Sequence, residues 1–222
     1  MSVISAKRIS NRLDLPPEDK SGLVITPLLD RPHMFDFDSV DLRLGCHFLL
    51  PRMLQQPYYC PDASSATGLH HTQVHVPLGK YLVVPAHQTV LGATLEFIKL
   101  PYDVCGQILT KSSLARTFVV VETAPWIHPE YRGCLTLEIA NVSNTPVLLY
   151  PGRAICQLIL LDVERKENER TKLNPSYFGP VYPEPPKFSN PEQDLLDIGV
   201  HCTDVIVIQR CRAHKGTIVR DE

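Results

Sequence analysis

From Leu23 onward, apolar residues come in short runs separated by Pro, Gly, Asn or Asp. That is the signature of half-buried strands joined by turns. The pattern predicts strands over 40–50, 81–85, 89–100, 105–110, 117–122, 134–142, 147–150 and 154–163. Only the opening stretch ISAKRISNRL, residues 4–13, reads as a helix, with Ile4, Ile9 and Leu13 on one broad face. Pro16-Pro17 ends it. The 20 prolines suit turns and strand edges. No fixed-period repeat is visible. The expected architecture is therefore an antiparallel sandwich or barrel with a short N-terminal helix.

After residue 163 the character changes. ERKENERTK, residues 164–172, reads as a solvated charged link. The Pro- and aromatic-rich stretch NPSYFGPVYPEPPKFSNP then favours an extended arm. Val205-Ile206-Val207-Ile208 is an added strand or part of a loose tail. The expected organisation is one β domain over 1–199, its C-terminal arm spanning 173–199, and a tail of unknown role over 200–222. At 222 residues and 44% hydrophobic, the chain can bury a sizeable core. A formal charge of -2 provides no broad basic field for nucleic acid. The N-terminus has no apolar signal-peptide region, and no apolar run reaches membrane-spanning length. Seven cysteines, an odd number without CxxC spacing, read as reduced and mostly buried thiols of a cytoplasmic protein.

Two segments carry candidate chemistry. Lys111-Ser112-Ser113-Leu114-Ala115-Arg116 packs two cations and two hydroxyls into one turn, directly after an apolar run. Such a turn suits a polyphosphate, or it is simply a helix start capped by Ser112 or Ser113. Farther on, Leu135, Leu137 and Ile139 alternate with Thr136, Glu138 and Ala140. Alternation turns Glu138 away from the apolar face, where a strand glutamate is ordinarily just solvated. Asp41 and Arg43 read as ion-pair partners that fix a strand or a subunit contact. His70-His71 with His75 offer metal-binding nitrogens on a loop, but read more simply as a surface loop. His128-Pro129-Glu130 spells the H-x-E half of a zinc-deaminase signature, but the P-C-x-x-C half is missing.

Together these segments resemble the nucleotide site of the dCTP deaminase and dUTPase superfamily. Ser39-Val40-Asp41-Leu42-Arg43-Leu44-Gly45, then Leu91 to Glu96 followed by Leu100-Pro101, and finally Pro151 to Leu158 are similar to further motifs of dCTP deaminases, in the same order. The resemblance covers roughly residues 3–185. It implies a distorted jelly-roll or β-barrel of the dUTPase-like type, assembled as a homotrimer with sites at subunit interfaces. It also implies zinc-independent conversion of dCTP to dUTP and ammonia, supplying dUTP for thymidylate synthesis. Mg²⁺ would be carried by the triphosphate, and dTTP or dUTP are further possible ligands. Glu138 would be the proton carrier. Ser112, with the backbone carbonyl of Ala124, would hold the attacking water, and Arg116 would face the triphosphate and the reacting base. Lys111, Ser113, His128 and Tyr177 would line the substrate.

The chain departs from the family in two places. Thr110-Lys111 stands where Gly-Arg is usual, which keeps a cation but loses the guanidinium fork. His128 stands where related enzymes that also hydrolyse dUTP carry an aspartate, which argues against that second hydrolysis. Two alternatives stay open: a dUTPase-like or bifunctional hydrolase, and a non-catalytic trimeric nucleotide-binding homologue.

Overall fold

The computed structural model describes residues 2–29, 34–36, 38–52, 71–122, 126–165 and 179–186. The strands are β1 (Val24–Thr26), β2 (Phe35–Asp36), β3 (Ser39–Arg43), β4 (His47–Pro51), β5 (His71–His75), β6 (Leu82–Val84), β7 (Thr89–Lys99), β8 (Val104–Thr110), β9 (Val119–Glu122), β10 (Arg132–Asn141), β11 (Val147–Leu149) and β12 (Ala154–Asp162). Among the described residues the helices are α1 (Ala6–Leu13) and the single turn α2 (Ser112–Ala115). One sheet runs β5-β4-β7-β10-β9, with β1 also on β7; a second runs β2-β3-β12-β8; β6 and β11 form a ribbon. All the named pairings are antiparallel. The fold is mainly β, a distorted jelly-roll whose sheets do not close.

Alternation explains the core. Leu42 and Leu158 from one sheet meet Phe48, Ile98, Leu137 and Ile139 from the other, and all are buried. This is the area-driven packing that an HPHP strand provides. Helix α1 buries Ile9 and packs Leu13 against the same core, as its periodicity predicts, but Ile4, expected on the same helical face, lies before the helix, its N–H donating to the Leu160 carbonyl at 2.9 Å. Its polar face is tied to the second sheet by two bidentate pairs, Arg8 to Asp162 (2.6 and 2.9 Å) and Arg12 to Asp103 (2.8 and 2.6 Å).

The structure also corrects the expected strands and loops. The apolar run 40–50 is not one strand but two. Leu44 bridges Thr94, and the Gly45 N–H donates to the Ala93 carbonyl at 2.8 Å. There the chain passes from the second sheet into the first. A Cβ on Gly45 would sit 3.0 Å from the Ala93 oxygen, so a larger residue at the crossing would require that backbone to give by a few tenths of an ångström. His71 and His75 lie not on a loop but in β5, paired along β4. The short strands β1 and β2 carry too few residues to show a period, and the sequence pattern does not reveal them.

The expected C-terminal arm is described over 179–186 only. Gly179 donates to the Arg132 carbonyl and Cys134 donates to the Pro180 carbonyl, both at 2.7 Å. The Glu184 N–H reaches Thr136 Oγ1 at 3.2 Å. The segment therefore runs along β10 in the same direction as that strand. Gly133 makes room for it: a Cβ there would fall 2.5 Å from Pro180. Tyr182 meets His47 edge-on, with ring centroids 4.4 Å apart.

Candidate active site

The turn after β8 is built by competition for backbone partners. The Lys111 N–H donates to the Ile155 carbonyl on β12 at 3.3 Å, and the chain then closes the single turn α2. Its N-cap is Lys111, not Ser112 or Ser113, and no side chain caps it. Ser112 and Ser113 are the first helical residues and are exposed, as is Arg116 at the C-cap. The capped-start expectation is thereby overturned: with Lys111 in extended backbone, Ser112 and Ser113 fall one and two positions too late to act as cap. The chain then reverses through Phe118, at a positive φ of 61° and 63% exposed, into β9.

Thr110 decides where this turn sits. Its hydroxyl donates to the Val121 carbonyl at 2.8 Å and accepts from the Val121 N–H at 2.9 Å. β8 and β9 are edge strands of different sheets, so this one side chain stitches the sheets together. The threonine at the first family departure thus has a structural task. Sequence reading treated it only as a missing glycine.

Glu138 is exposed on β10, while Leu137 and Ile139 on either side are buried. The predicted alternation holds over the whole 135–140 stretch. Glu122, also exposed, is the residue directly opposite it on β9. Side chains directly opposite in an antiparallel pair leave the same face of the sheet, roughly 5 Å apart at Cβ. The site therefore presents two carboxylates, of which sequence analysis singled out one. Glu122 adjoins Val121, so the Thr110 tie brings the cationic turn to the carboxylate end of β9.

Lys111 is less available than its sequence position suggests. Its ammonium is paired with Asp41 Oδ2 on β3; the two side chains are 25% and 16% exposed. The expected Asp41–Arg43 pair does not form. Arg43 instead faces the buried carboxylate of Glu96.

His128 lies elsewhere. It is exposed, follows Ile127, which bridges Gly106 near the start of β8, and its carbonyl accepts from the Tyr131 N–H. Along β10, Arg132 to Glu138 spans about 20 Å. His128 precedes that strand, on the side of Arg132 rather than of Glu138. Ala124 and Tyr177 lie outside the described residues. Cys134, the cysteine nearest the H-x-E triplet, is buried, and burial pushes its thiol up to about 11, with the Glu96 charge adding to the rise. Such a thiol is packing, not a ready thiolate.

The dCTP deaminase-like family matches residues 4–163. The chain belongs to that family. Over 160 residues it is 32% identical to the dUMP-forming dCTP deaminase of Methanobrevibacter smithii, covering 72% of this chain and 79% of that protein. Over 146 residues it is 35% identical to the dCTP deaminase of Halorubrum lacusprofundi, covering 65% and 72%. The crystal structure of the Agrobacterium tumefaciens 2'-deoxycytidine 5'-triphosphate deaminase has the same fold, with a TM-score of 0.54 at 22% identity. That match spans 71% of this chain and 47% of that one. As a family member, the chain carries its exposed Glu138 and the 111–116 turn inside the matched segment, with the docked 179–186 stretch beyond it.

Proposed function

We propose that this protein deaminates dCTP, with Glu138 as the proton carrier. The observation that carries the reading is the placement of Glu138 on the open face of β10, at the end of β9 that Thr110 ties to the Lys111–Arg116 turn. Water attacks C4 of cytosine, and Glu138 takes its proton and delivers one to N3. Glu138 then passes the second proton of that water from the new C4 hydroxyl to the exocyclic amine, the bond between C4 and that amine breaks, ammonia leaves, and C4 keeps the oxygen as a carbonyl. This is general acid–base chemistry, which needs a carboxylate within hydrogen-bond reach of the water. Ser112 and the Ala124 carbonyl hold that water. Arg116, a planar fork, orients the triphosphate, and Lys111 adds charge as a point cation. Magnesium enters with the triphosphate as part of the substrate.

The product we assign is dUTP, because His128 stands where an aspartate serves dUTP hydrolysis in related enzymes. Relatives named dUMP-forming favour a second reading, in which one active centre also releases pyrophosphate. One experiment separates these. The pure protein is incubated with each dNTP and Mg²⁺, and ammonia, pyrophosphate and nucleotides are followed together. Ammonia and dUTP without pyrophosphate are expected from dCTP. Equal pyrophosphate and dUMP would establish the second reading, and no ammonia from any dNTP would overturn both. The same preparation is expected to lack stoichiometric zinc, since the P-C-x-x-C donors are missing. Bound zinc whose removal stops turnover would contradict this.

We further propose a homotrimer. What supports it is that His128 precedes Arg132, from which β10 runs roughly 20 Å to Glu138: if both line one site, they come from different copies.

The two cations are expected to differ on substitution. Arg116→Ala should cripple turnover and leave the melting temperature near wild type, because Arg116 is exposed. Lys111→Ala should weaken dCTP binding and also cost about 1–3 kcal/mol of stability, because Asp41 loses its partner. Kinetics and urea denaturation of both variants test this. Equal, small kinetic effects would place the triphosphate elsewhere.

A further inference from the structure

The geometry points to Asp41 as the residue that positions Lys111 for the triphosphate, an inference that rests on the function proposed above. Asp41 lies on β3, Gln157 pairs it on β12, and Leu109 pairs Gln157 on β8. The Lys111 backbone is pinned to β12 at Ile155, and its side chain crosses that strand to meet Asp41 Oδ2. The other oxygen, Oδ1, is buried and accepts no hydrogen bond from the described residues. Among the described residues, the hydrogen bonding of this carboxylate therefore rests on one ammonium.

A lysine has three N–H donors on a flexible stem. Asp41 takes one and leaves two. A free lysine must be ordered when a ligand binds, which weakens binding; a tethered one is ordered already. Asp41 also brings a negative charge toward a polyanion. The alternative role is thus a competitor, which would hold Lys111 back, and the two roles predict opposite signs.

The test uses the full chain in five forms: wild type, Asp41→Asn, Asp41→Glu, Lys111→Ala, and Asp41→Asn/Lys111→Ala. KM and kcat for Mg²⁺-dCTP are measured, together with the inhibition constant of inorganic tripolyphosphate. Asp41→Asn is expected to raise KM and the tripolyphosphate constant about tenfold, the scale of ordering one long side chain. The effect should fall on KM rather than kcat. In the Lys111→Ala background the same change should do nothing further. An unchanged or lowered KM in Asp41→Asn overturns the proposal, as does an equal rise in the Lys111→Ala background. Should Asp41→Asn fail to fold, Asp41→Glu decides, because it keeps the charge but shifts the ammonium by one methylene. Its KM is expected to rise about threefold, within the span that one immobilised side chain commands; an unchanged KM overturns the proposal. A wild type that neither turns over dCTP nor binds tripolyphosphate overturns the functional reading itself. Normal turnover with a KM indifferent to Asp41 overturns the positioning role alone.

Discussion

Glu138→Gln is expected to lose deamination by about 10²–10⁴-fold, the range that a positioned acid–base group supplies. The affinity for dCTP should stay within about tenfold, because the amide keeps the shape of the carboxylate and removes only its ability to shuttle a proton. Two features of the structure sharpen the expectation. Glu138 is exposed on β10 and supports no core contact, so the loss cannot be laid to misfolding. Glu122 stands directly opposite, so the same substitution there is the informative control. If Glu122 were the true proton carrier, Glu122→Gln would be the dead variant and Glu138→Gln the mild one. Steady-state turnover of both, with dCTP binding followed by calorimetry, distinguishes the two. A Glu138→Gln protein that keeps more than about a tenth of wild-type kcat would remove Glu138 from its assigned role.

Much of this was legible in the sequence because strand alternation is a local property. The exposure of Glu138 between buried Leu137 and Ile139 follows from period two alone, and the boundaries of β7, β8, β10 and β12 fall close to the predicted ones. What the sequence hid was long-range pairing. Nothing in the string links Lys111 to Asp41, or Thr110 to Val121; each contact exists because sheet register brings distant segments together. Glu122 was missed for the same reason, since its importance lies in standing across from Glu138. The break at Gly45 was masked by an unbroken apolar run. Glu96 is different, because its signal was present. It lies in phase with Val90, Ile98 and Leu100, all buried, so alternation alone places it inward. A charged residue on a core-facing phase should have been read as a buried, partnered group.

That buried carboxylate carries the largest expected effect on stability. Glu96 is 0% exposed. Its Oε2 accepts the Arg43 backbone N–H at 2.8 Å, and its Oε1 faces the Arg43 guanidinium at 3.4 Å. The pair sits where β3 meets an irregularity between β7 and β10, and Thr94 Oγ1 closes that irregularity by accepting from the Leu135 N–H. Arg43→Met would keep the backbone hydrogen bond but leave the carboxylate without its counter-charge. Breaking a buried pair from one side costs about 3–5 kcal/mol, and the surviving N–H places this case near 3 kcal/mol. The effect has a defined pH sign. Burial, opposed by the Arg43 contacts, holds the Glu96 carboxyl above its ordinary value of 4.5. The native state therefore binds this proton at a pH where the unfolded chain has released it. Its contribution to stability is full below the unfolded value and is lost as pH rises through the native one. Without Arg43 the native value rises further, so the Arg43→Met deficit should be large at about pH 8 and shrink toward about pH 5. Adding Glu96→Gln should recover much of the loss and flatten the pH dependence, because an uncharged amide needs no counter-ion. Urea denaturation of the single and double variants at both pH values measures this, and a deficit equal at the two would show that Arg43 stabilises the junction by packing rather than by charge.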